Sequence, residues 1–468
     1  MNRSVKVNAT GDGVYQRRRP EPDFRQAKAN PRHSDNMKQK AFSGTKRYNS
    51  NMFTVNTILE AAENQRTIFL RKSGNYLKRD FKSSELSPVP EFARIVTGVR
   101  RCGKSTLLQM ALGDREFFYL NFDDPELYGF SASDFAILNT AIESYARNKN
   151  TVTLCFDEFQ NIEGWETFVH KKLFEGYFVY VTGYNANLMS KELGTRLSGR
   201  HLDSELFPFS YTEFCSMNSL PVNNAESLQS YLEMGGFPEY LTYKNEEILK
   251  TLMDDILTKD ISVRYGIKDL VSLKILAKYL SSNFGNLISG SRLSNQLNLK
   301  TKATVLEYMG HMEQSYLFFF VPKFDYSPMT QTVNPKKVYC IDTALAQAVS
   351  MSVTKNKGKL LENAVYLSLR RKTKNVWYYS EPSFECDFLY GSDNTPESAV
   401  QVCYELNEEN RERELRGIVE TCRKFNIEKP QIVTFNQNDT ILCDGMTVEA
   451  VDAMSFLSSS SAALRYSR

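Results

Sequence analysis

The sequence predicts an α/β protein, because three short apolar runs with strand character are separated by stretches with helical spacing. The first run, "FARIVT", stands before Gly98 and is followed by "STLLQMAL", whose apolar residues recur at helical intervals. The second run covers residues 152–156 and the third covers residues 177–182. Buried strands that alternate with helices in this way are typical of α/β domains.

The connection between the first strand and its helix has the pattern of a phosphate-binding loop. The stretch "TGVRRCGKSTLL" fits G-x-x-x-x-G-K-[ST] from Gly98 to Ser105. A glycine-rich turn lets backbone N–H groups surround a phosphate, and the helix N-terminus adds its positive dipole end. We expect Lys104 to reach the β- and γ-phosphates and Ser105 to ligate Mg²⁺. The expected nucleotide-binding residues are Gly98, Val99, Arg100, Arg101, Cys102, Gly103, Lys104, Ser105 and Thr106.

The second apolar run ends directly in two carboxylates, Asp157 and Glu158. Alone, such a pair reads as a solvated strand end. About 50 residues after a phosphate-binding loop, with a strand and a helix between, it favours nucleotide hydrolysis instead. In that interpretation Asp157 holds the metal ion, and Glu158 is the base that orients and polarises the attacking water.

Polar residues that follow the third apolar run are candidates for contact with the transferred phosphoryl group. Asn185 stands where a side chain could touch the γ-phosphate or the attacking water. Arg196 or Arg200 could stabilise the charge that develops there, either within one chain or across a subunit boundary, which would require a homo-oligomer. The alternative is that both arginines are surface residues paired with carboxylates.

The composition indicates a multidomain protein with a basic tail. The chain has 468 residues, of which 41% are hydrophobic, enough to bury two or three cores of ordinary domain size. Residues 1–51 carry 12 Lys or Arg against 4 Asp or Glu, which leaves 46 against 51 in the rest. The tail lacks a periodic apolar pattern, so we expect it to be disordered. A solvated tail is favoured over a nucleic-acid-binding arm.

Cysteine usage and hydropathy place the chain in the cytoplasm. The eight cysteines form no C-x-x-C pair and lie partly inside apolar runs, which is typical of reduced, buried thiols. The longest apolar stretch, "YLFFFV" at 316–321, is about a third of the roughly 20 residues needed to cross a bilayer. The N-terminus shows no apolar segment typical of a signal peptide. We therefore expect no membrane association.

Together, the strings "TGVRRCGKSTLL", "FDEFQNIEGWE", "VTGYNANL", "LSGR", "FPFSYTEF" and "GGFPEY" resemble the prokaryotic AAA-like ATPases whose P-loop domain is followed by a module of unknown function. The resemblance covers roughly residues 55–450. It implies ATP as the nucleotide and a parallel sheet of the additional-strand P-loop class with a helical lid. A winged-helix region and an α/β nuclease-like domain follow. Tyr184 departs from the small polar residue usual in relatives, which weakens the assignment of Asn185.

On this basis we expect six regions. They are a disordered tail (1–51), a P-loop ATPase domain (52–203), a helical lid (204–270), a winged-helix-like region (271–345), a restriction-endonuclease-like domain (346–452) and a flexible tail (453–468).

The stretch "SRLSNQLNLKTKATVLEYM" has the spacing of a helix-turn-helix, with Thr301 opening the second helix. The exposed face of that helix offers Lys300 and Lys302 but also Glu307 and Glu313. Such thin positive charge neutralises few phosphates. DNA contact therefore stands beside internal packing or binding of a protein partner.

The last third of the chain resembles the restriction-endonuclease-like fold in its order of helix, hairpin, strand and helix. Glu362, Asp387 and Gln401 match its metal ligands, but Cys403 stands where such nucleases carry a lysine. A cysteine cannot supply a fixed positive charge, so we expect a degenerate nuclease site kept for binding or architecture.

These observations predict an ATP- and Mg²⁺-dependent ATPase that acts as a nucleotide-driven switch on a nucleic-acid or protein partner. The alternative is an ATP-licensed nuclease that cuts DNA through the C-terminal domain, against which Cys403 argues.

Overall fold

The computed structural model describes residues 53–71, 76–80, 83–146, 152–186, 197, 199–351 and 356–463. The expected disordered tail of residues 1–51 lies outside these residues, as does Arg196. Two helices, α1 (Val55–Arg71) and α2 (Ser83–Leu86), precede the first strand.

A five-stranded, fully parallel sheet follows, with the strand order β2-β3-β4-β1-β5. Its strands are β1 (Ala93–Thr97), β2 (Phe117–Asn121), β3 (Thr153–Asp157), β4 (Phe178–Gly183) and β5 (His201–Glu205). The connecting helices are α3 (Lys104–Leu112), α4 (Phe135–Tyr145) and α5 (Trp165–Phe174). The expected α/β fold with a parallel sheet is therefore present, and β4 stands between β1 and β3. All three of these strands end at the same edge of the sheet.

Aromatic packing fixes the position at which β3 ends. All five residues of β3 are buried, as expected of a parallel strand covered on both faces. Phe156 packs against Phe159 with ring centroids 4.6 Å apart, and Phe168 of α5 contacts Phe159 edge-to-face at 6.1 Å. Asp157 and Glu158 lie between Phe156 and Phe159 in the sequence. The aromatic contacts therefore fix the backbone on both sides of these two carboxylates.

Four helices and a π-helical segment follow the sheet. They are α6 (Tyr211–Asn218), α7 (Ala225–Met234), α8 (Pro238–Tyr243), α9 (Glu247–Asp255) and the π-helical turns Ile256–Val263. A reciprocal cap between Ser210 and Glu213 begins α6. The π-helical segment continues directly from α9, and such segments frequently occur at functional sites. These elements fall within residues 204–270, the predicted helical lid. We call this region the lid, and its action as a lid remains a prediction.

The next region combines helices with a three-stranded antiparallel sheet of order β6-β8-β7. Its elements are α10 (Leu270–Ser282), β6 (Leu287–Ile288), α11 (Gly290–Gln296), α12 (Lys302–Gln314), β7 (Phe318–Pro322), α13 (Pro328–Val333), β8 (Lys336–Cys340) and α14 (Thr343–Val349). Thr301 caps α12, its hydroxyl accepting from the Thr304 N–H at 3.1 Å. The two helices and the following strand occur where the sequence places them, while their identity as a winged helix remains a prediction.

The C-terminal region is a six-stranded mixed sheet of order β13-β14-β12-β11-β10-β9. Its elements are α15 (Lys357–Lys372), β9 (Val376–Glu381), β10 (Phe384–Ser392), β11 (Thr395–Val402), α16 (Arg411–Phe425), β12 (Pro430–Thr434), β13 (Asp439–Cys443), β14 (Met446–Asp452) and α17 (Ala453–Ala463). The predicted order of helix, hairpin, strand and helix is seen, and a nuclease-like identity remains a prediction.

The expectation of a flexible tail from residue 453 is wrong for residues 453–463. They form α17, and Ala453, Phe456 and Leu457 are buried. Their helical spacing supplies an apolar face that packs on α15, which outweighs the serine-rich composition. Residues 464–468 lie outside the described residues.

The regions after the parallel sheet share one apolar core with it. That core includes Val96 of β1, Leu252 of α9, Phe319 of β7 and Val400 of β11. The eight cysteines are free thiols, seven of them buried and Cys443 partly exposed. Across the described residues, none of the helices combines the length and the apolar character that crossing a bilayer requires.

Candidate functional site

The loop between β1 and α3 has a backbone that only glycine allows at two positions. Gly98 passes so close to the Leu206 carbonyl that a Cβ atom there would overlap it, and the Cys102 sulfur would lie 3.1 Å away. Gly103 has φ 102°, which other residues rarely adopt. α3 begins at the next residue, so its first N–H groups, which have no intrahelical partner, face the loop.

Lys104 places its ammonium group inside this loop. The side chain is 6% exposed, and Nζ donates to the carbonyl oxygens of Gly98 at 3.1 Å and Val99 at 3.3 Å. The Glu158 carboxylate lies 3.8 Å away. The ammonium group is thus held mainly by carbonyl dipoles, which leaves its charge available to an anionic ligand.

Asp157 accepts hydrogen bonds from α3 and from the two strands that flank β3. Its Oδ2 accepts from the Ser105 hydroxyl at 2.7 Å and the Tyr119 hydroxyl at 2.9 Å, and its Oδ1 accepts from the Thr182 hydroxyl. The parallel register of β3 and β4 pairs Asp157 with Thr182 directly. A buried carboxylate beside a serine hydroxyl supplies the oxygen ligands that Mg²⁺ prefers, so Ser105 and Asp157 fit a magnesium site.

Glu158 has a strained backbone and a perturbed carboxylate. Its φ is 56°, unusual for a residue with a Cβ atom. Gln160 donates to Oε2 at 2.6 Å. Burial raises the pKa of Glu158 to about 7, the charge of Asp157 adds to this rise, and Lys104 opposes it. A carboxylate that titrates near neutrality is suited to general-base catalysis.

Asn185 follows β4 at the same edge of the sheet but turns toward the lid. Its amide donates to the Tyr265 hydroxyl at 3.4 Å. The neighbouring Tyr184 contacts two guanidinium groups, with Arg100 at 5.0 Å and Arg264 at 5.3 Å from its ring centroid. The departure at Tyr184 thus has a physical role, because the ring fills the space between the loop and the lid.

Arg200, the predicted arginine that the structure describes, is not brought to this edge. Arg200 lies at the amino end of β5, where its guanidinium contacts Glu91 at 3.2 Å and covers the Phe174 ring. In a parallel sheet that end is opposite the nucleotide edge, so the expectation that Arg200 acts within its own chain is wrong. A role across a subunit boundary remains a prediction, and Arg196 falls outside the described residues.

An ion pair that the sequence pattern did not reveal joins the loop to the lid. Arg100 donates from Nη2 to Asp260 Oδ1 at 2.6 Å and from Nε to Oδ2 at 2.9 Å. Asp260, in the π-helical segment, is 1% exposed. Burial acts to lower the pKa of Arg100, but hydrogen bonds and charge from Asp260 outweigh it and raise that pKa.

Arg79 is a second residue that the sequence pattern did not reveal, and it contacts the phosphate-binding loop. Its guanidinium donates to the Cys102 carbonyl at 3.1 Å, to the Phe207 carbonyl at 2.7 Å and to Glu213 at 2.8 Å. Its three partners are 23, 128 and 134 residues away in the sequence, so no local motif around Arg79 predicts these contacts.

The C-terminal candidates Glu362, Asp387, Gln401 and Cys403 line or adjoin one cleft of about 560 Å³. The Asp387 N–H donates to Gln401 Oε1 at 3.1 Å, and the Gln401 amide donates to Glu414 at 2.6 Å. The Cys403 thiol donates to the Glu405 carbonyl at 3.1 Å. Burial raises the pKa of Cys403 to about 11, so the thiol is neutral at physiological pH.

The phosphate-binding loop, Lys104 and the Ser105–Asp157 pair at the edge of an additional-strand parallel sheet define a P-loop protein of the AAA type. In agreement, residues 91–215 match the family described as an AAA domain, and residues 225–356 match a domain of unknown function, DUF8612. The chain is 31% identical to the uncharacterized protein MJ1544 of Methanocaldococcus jannaschii, over 79% of this chain and 87% of that protein. An uncharacterized protein of Haemophilus influenzae is 30% identical over 72% of this chain and 88% of its own length. The chain belongs to the same family as these two relatives.

Solved structures with partial similarity include a Walker-type ATPase of Pyrococcus abyssi, at 14% identity and a TM-score of 0.42 over 59% of this chain and 96% of that one. Cdc6p of Pyrobaculum aerophilum is 9% identical, with a TM-score of 0.24 over 60% of this chain and 97% of that one.

The raised pKa of Glu158 predicts a pH-dependent stability. Between its ordinary value and about 7, the folded chain binds more protons at Glu158 than the unfolded chain, so this stabilisation is lost as the pH rises through about 7. Glu158→Gln removes the titration. In thermal melts without nucleotide, the melting temperature of the variant relative to wild type should be higher at about pH 8.5 than at about pH 5, by roughly 2–4 °C.

The matched control is Glu163→Gln, which replaces an exposed carboxylate five residues further on. A melting-temperature difference for Glu158→Gln that stays constant across this pH range would contradict the raised pKa.

Proposed function

We propose that the chain binds and hydrolyses Mg²⁺-ATP and acts as a nucleotide-driven switch on a nucleic-acid or protein partner. The observation that carries this proposal is the convergence of Lys104, Ser105, Asp157 and Glu158 at one edge of the parallel sheet. ATP is preferred over GTP because the matching family is of the AAA type; the loop itself reads only phosphates.

The nucleotide would be held by the loop and by the first turn of α3. In this proposal the backbone N–H groups of residues 100–106 and the ammonium group of Lys104 would bind the β- and γ-phosphates. Ser105 and Asp157 would hold Mg²⁺, which when bound neutralises charge on the phosphates. Before Mg²⁺ binds, the Ser105–Asp157 hydrogen bond of 2.7 Å would keep both oxygens in place.

Glu158 would accept the proton of the attacking water. Gln160 fixes one carboxylate oxygen at 2.6 Å and leaves Oε1 directed toward the Lys104 side. Its pKa near 7 allows Glu158 to be ionised before the reaction and to accept a proton during it. Asn185, at the end of the neighbouring strand, is assigned to positioning that water.

Arg264 is a further candidate for charge stabilisation. It follows the π-helical segment, and its guanidinium lies over the Tyr184 ring. Among the described residues its buried Nη1 has no hydrogen-bond partner. A donor held without a partner near the phosphate-binding loop fits a lid arginine that reaches a bound anion. Arg196 or Arg200 of a neighbouring copy would complete the site in a homo-oligomer.

The lid would convert nucleotide binding into movement. Arg100 joins the loop to Asp260, so a nucleotide that attracts Arg100 competes with a buried carboxylate for the same cation. Tyr265 carries the connection further, because its hydroxyl donates to Gln314 at 2.7 Å and its ring stacks on His311 at 3.8 Å. Both partners belong to α12, the helix proposed to contact DNA or a protein partner. ATPase rates with and without added DNA or RNA would distinguish these partners.

Lys104→Ala should abolish nucleotide retention, because it removes the buried ammonium group that faces the phosphates. Loss of one charge-assisted contact predicts an affinity for ATP that is at least about tenfold weaker in calorimetry. The exposed Lys171→Ala on α5 is the control and should bind as wild type. Unchanged ATP affinity in Lys104→Ala would remove Lys104 from the site.

Glu158→Gln should still bind ATP but release phosphate at least about 10²-fold more slowly, because an amide cannot accept the proton. Steady-state phosphate release at saturating ATP measures this, with calorimetry as the check on binding. A normal turnover rate would exclude Glu158 as the base.

Asp260→Asn should uncouple the lid from the loop, because it weakens the bidentate pair with Arg100. Hydrogen exchange over residues 247–265, measured with and without ATP, should show at least about half of the wild-type nucleotide response lost. Asp254→Asn, which breaks an ion pair of the lid with Lys274 outside the loop, is the matched control. An unchanged response in Asp260→Asn would show that the lid senses nucleotide by another route.

A further inference from the structure

The cleft of about 560 Å³ in the C-terminal region brings carboxylates together from two elements. Glu362 comes from α15, Glu385 and Asp387 come from β10, and Glu362 and Asp387 are buried. Burying several carboxylates in one place is costly unless cations pair with them. Such a group ordinarily collects a divalent metal ion.

The cation found there belongs to another sheet. Lys337 lies on β8 of the three-stranded sheet, and its Nζ is 2.7 Å from Asp387 Oδ1, 2.7 Å from Glu385 Oε1 and 3.6 Å from Glu362 Oε1. The residue is 2% exposed, so the ammonium group has left water and is surrounded by carboxylate oxygens.

The remaining oxygens of the two buried carboxylates are also paired. Asp387 Oδ2 accepts from the Val402 N–H at 3.0 Å. Glu362 Oε1 accepts from the Tyr339 hydroxyl at 2.7 Å, and Glu362 Oε2 accepts from Lys359 at 2.8 Å. A divalent ion would have to displace Lys337 to reach Asp387 Oδ1. Within the described residues, no group of three or more His, Cys, Asp or Glu side chains is arranged to hold a metal ion.

The protonation of this lysine follows from its surroundings. Burial acts to lower the pKa of Lys337, but the charges of Asp387, Glu362 and Glu385 outweigh burial and raise that pKa well above its ordinary value. The same pairing lowers the pKa of Asp387, although burial acts to raise it.

We propose that the Lys337 ammonium group occupies the cation position of this cleft in place of a divalent metal ion. The cleft is then a metal-free ion-pair cluster that fastens β8 to β10, and it does not cleave phosphodiesters. This inference is independent of nucleotide binding at the P-loop.

Titration of the full chain with Mn²⁺ alone, without nucleotide and followed by electron paramagnetic resonance, tests the proposal. Wild type and Asp387→Asn should bind Mn²⁺ equally. Lys337→Met frees the carboxylates of Glu385 and Asp387, so it should gain a Mn²⁺ site. Its affinity for Mn²⁺ at this cleft should be at least about tenfold higher than that of wild type. The double variant Lys337→Met/Asp387→Asn should lose the gain.

Lys336→Met is the matched control. Lys336 is the adjacent lysine on β8, and strand alternation places its side chain on the other face. It should bind Mn²⁺ as wild type does.

Two results would overturn the proposal. One is an activity of wild type that disappears in Asp387→Asn. That activity is either Mn²⁺ binding or DNA cleavage with Mg²⁺ or Mn²⁺. The other is a folded Lys337→Met protein, verified by circular dichroism, with no new site. If Lys337→Met does not fold, the comparison of wild type with Asp387→Asn still decides, since the asparagine keeps an acceptor for Lys337.

Discussion

The parallel register of β1, β4 and β3 is the constraint on which the rest of the structure depends. It pairs Thr97 with Gly183 and Thr182 with Asp157, so the glycine loop and the acidic pair begin at one level of the sheet. The side chains of Asp157 and Thr182 meet at the ends of buried strands. Their positions are therefore set by the strand backbone rather than by flexible loops. The hydrogen bond of Asp157 with Thr182 then follows from strand geometry, and that with Ser105 follows from the position at which α3 begins.

Two buried lysines, Lys104 and Lys337, differ in role because their surroundings differ. Lys104 is held by two carbonyl oxygens, with one carboxylate at 3.8 Å. Lys337 is surrounded by three carboxylates, two of them at 2.7 Å. The first arrangement leaves positive charge for a ligand, whereas the second neutralises it internally. A buried cation is therefore a candidate ligand-binding group only where the protein has not already neutralised it.

Local patterns predicted the α/β fold with its parallel sheet and the helix-strand order of the later regions. The apolar run 152–156 became β3, displaced by one residue, and Thr301 caps α12 as expected. Contacts between distant segments could not be predicted. Arg100 and Asp260 are 160 residues apart, and Lys337 and Asp387 lie in different sheets, so neither pair leaves a spacing that a motif search detects. Serine-rich composition misled the prediction at α17, because three apolar residues at helical spacing decide its packing.

The end of β1 is also tied to regions far along the chain. The Thr97 hydroxyl lies 2.8 Å from that of Tyr316, the residue that follows α12 and Ser315. The Tyr316 hydroxyl donates to Glu205 at 3.1 Å, and Glu205 is paired with Arg370 of α15 at 2.7 Å. Tyr316 is 2% exposed, so its hydroxyl has little water with which to exchange these partners. The strand that carries the phosphate-binding loop is thus joined by buried polar contacts to α12 and to α15. A displacement of β1 on nucleotide binding must be accommodated by both helices, in addition to the connection through Asp260 and the lid.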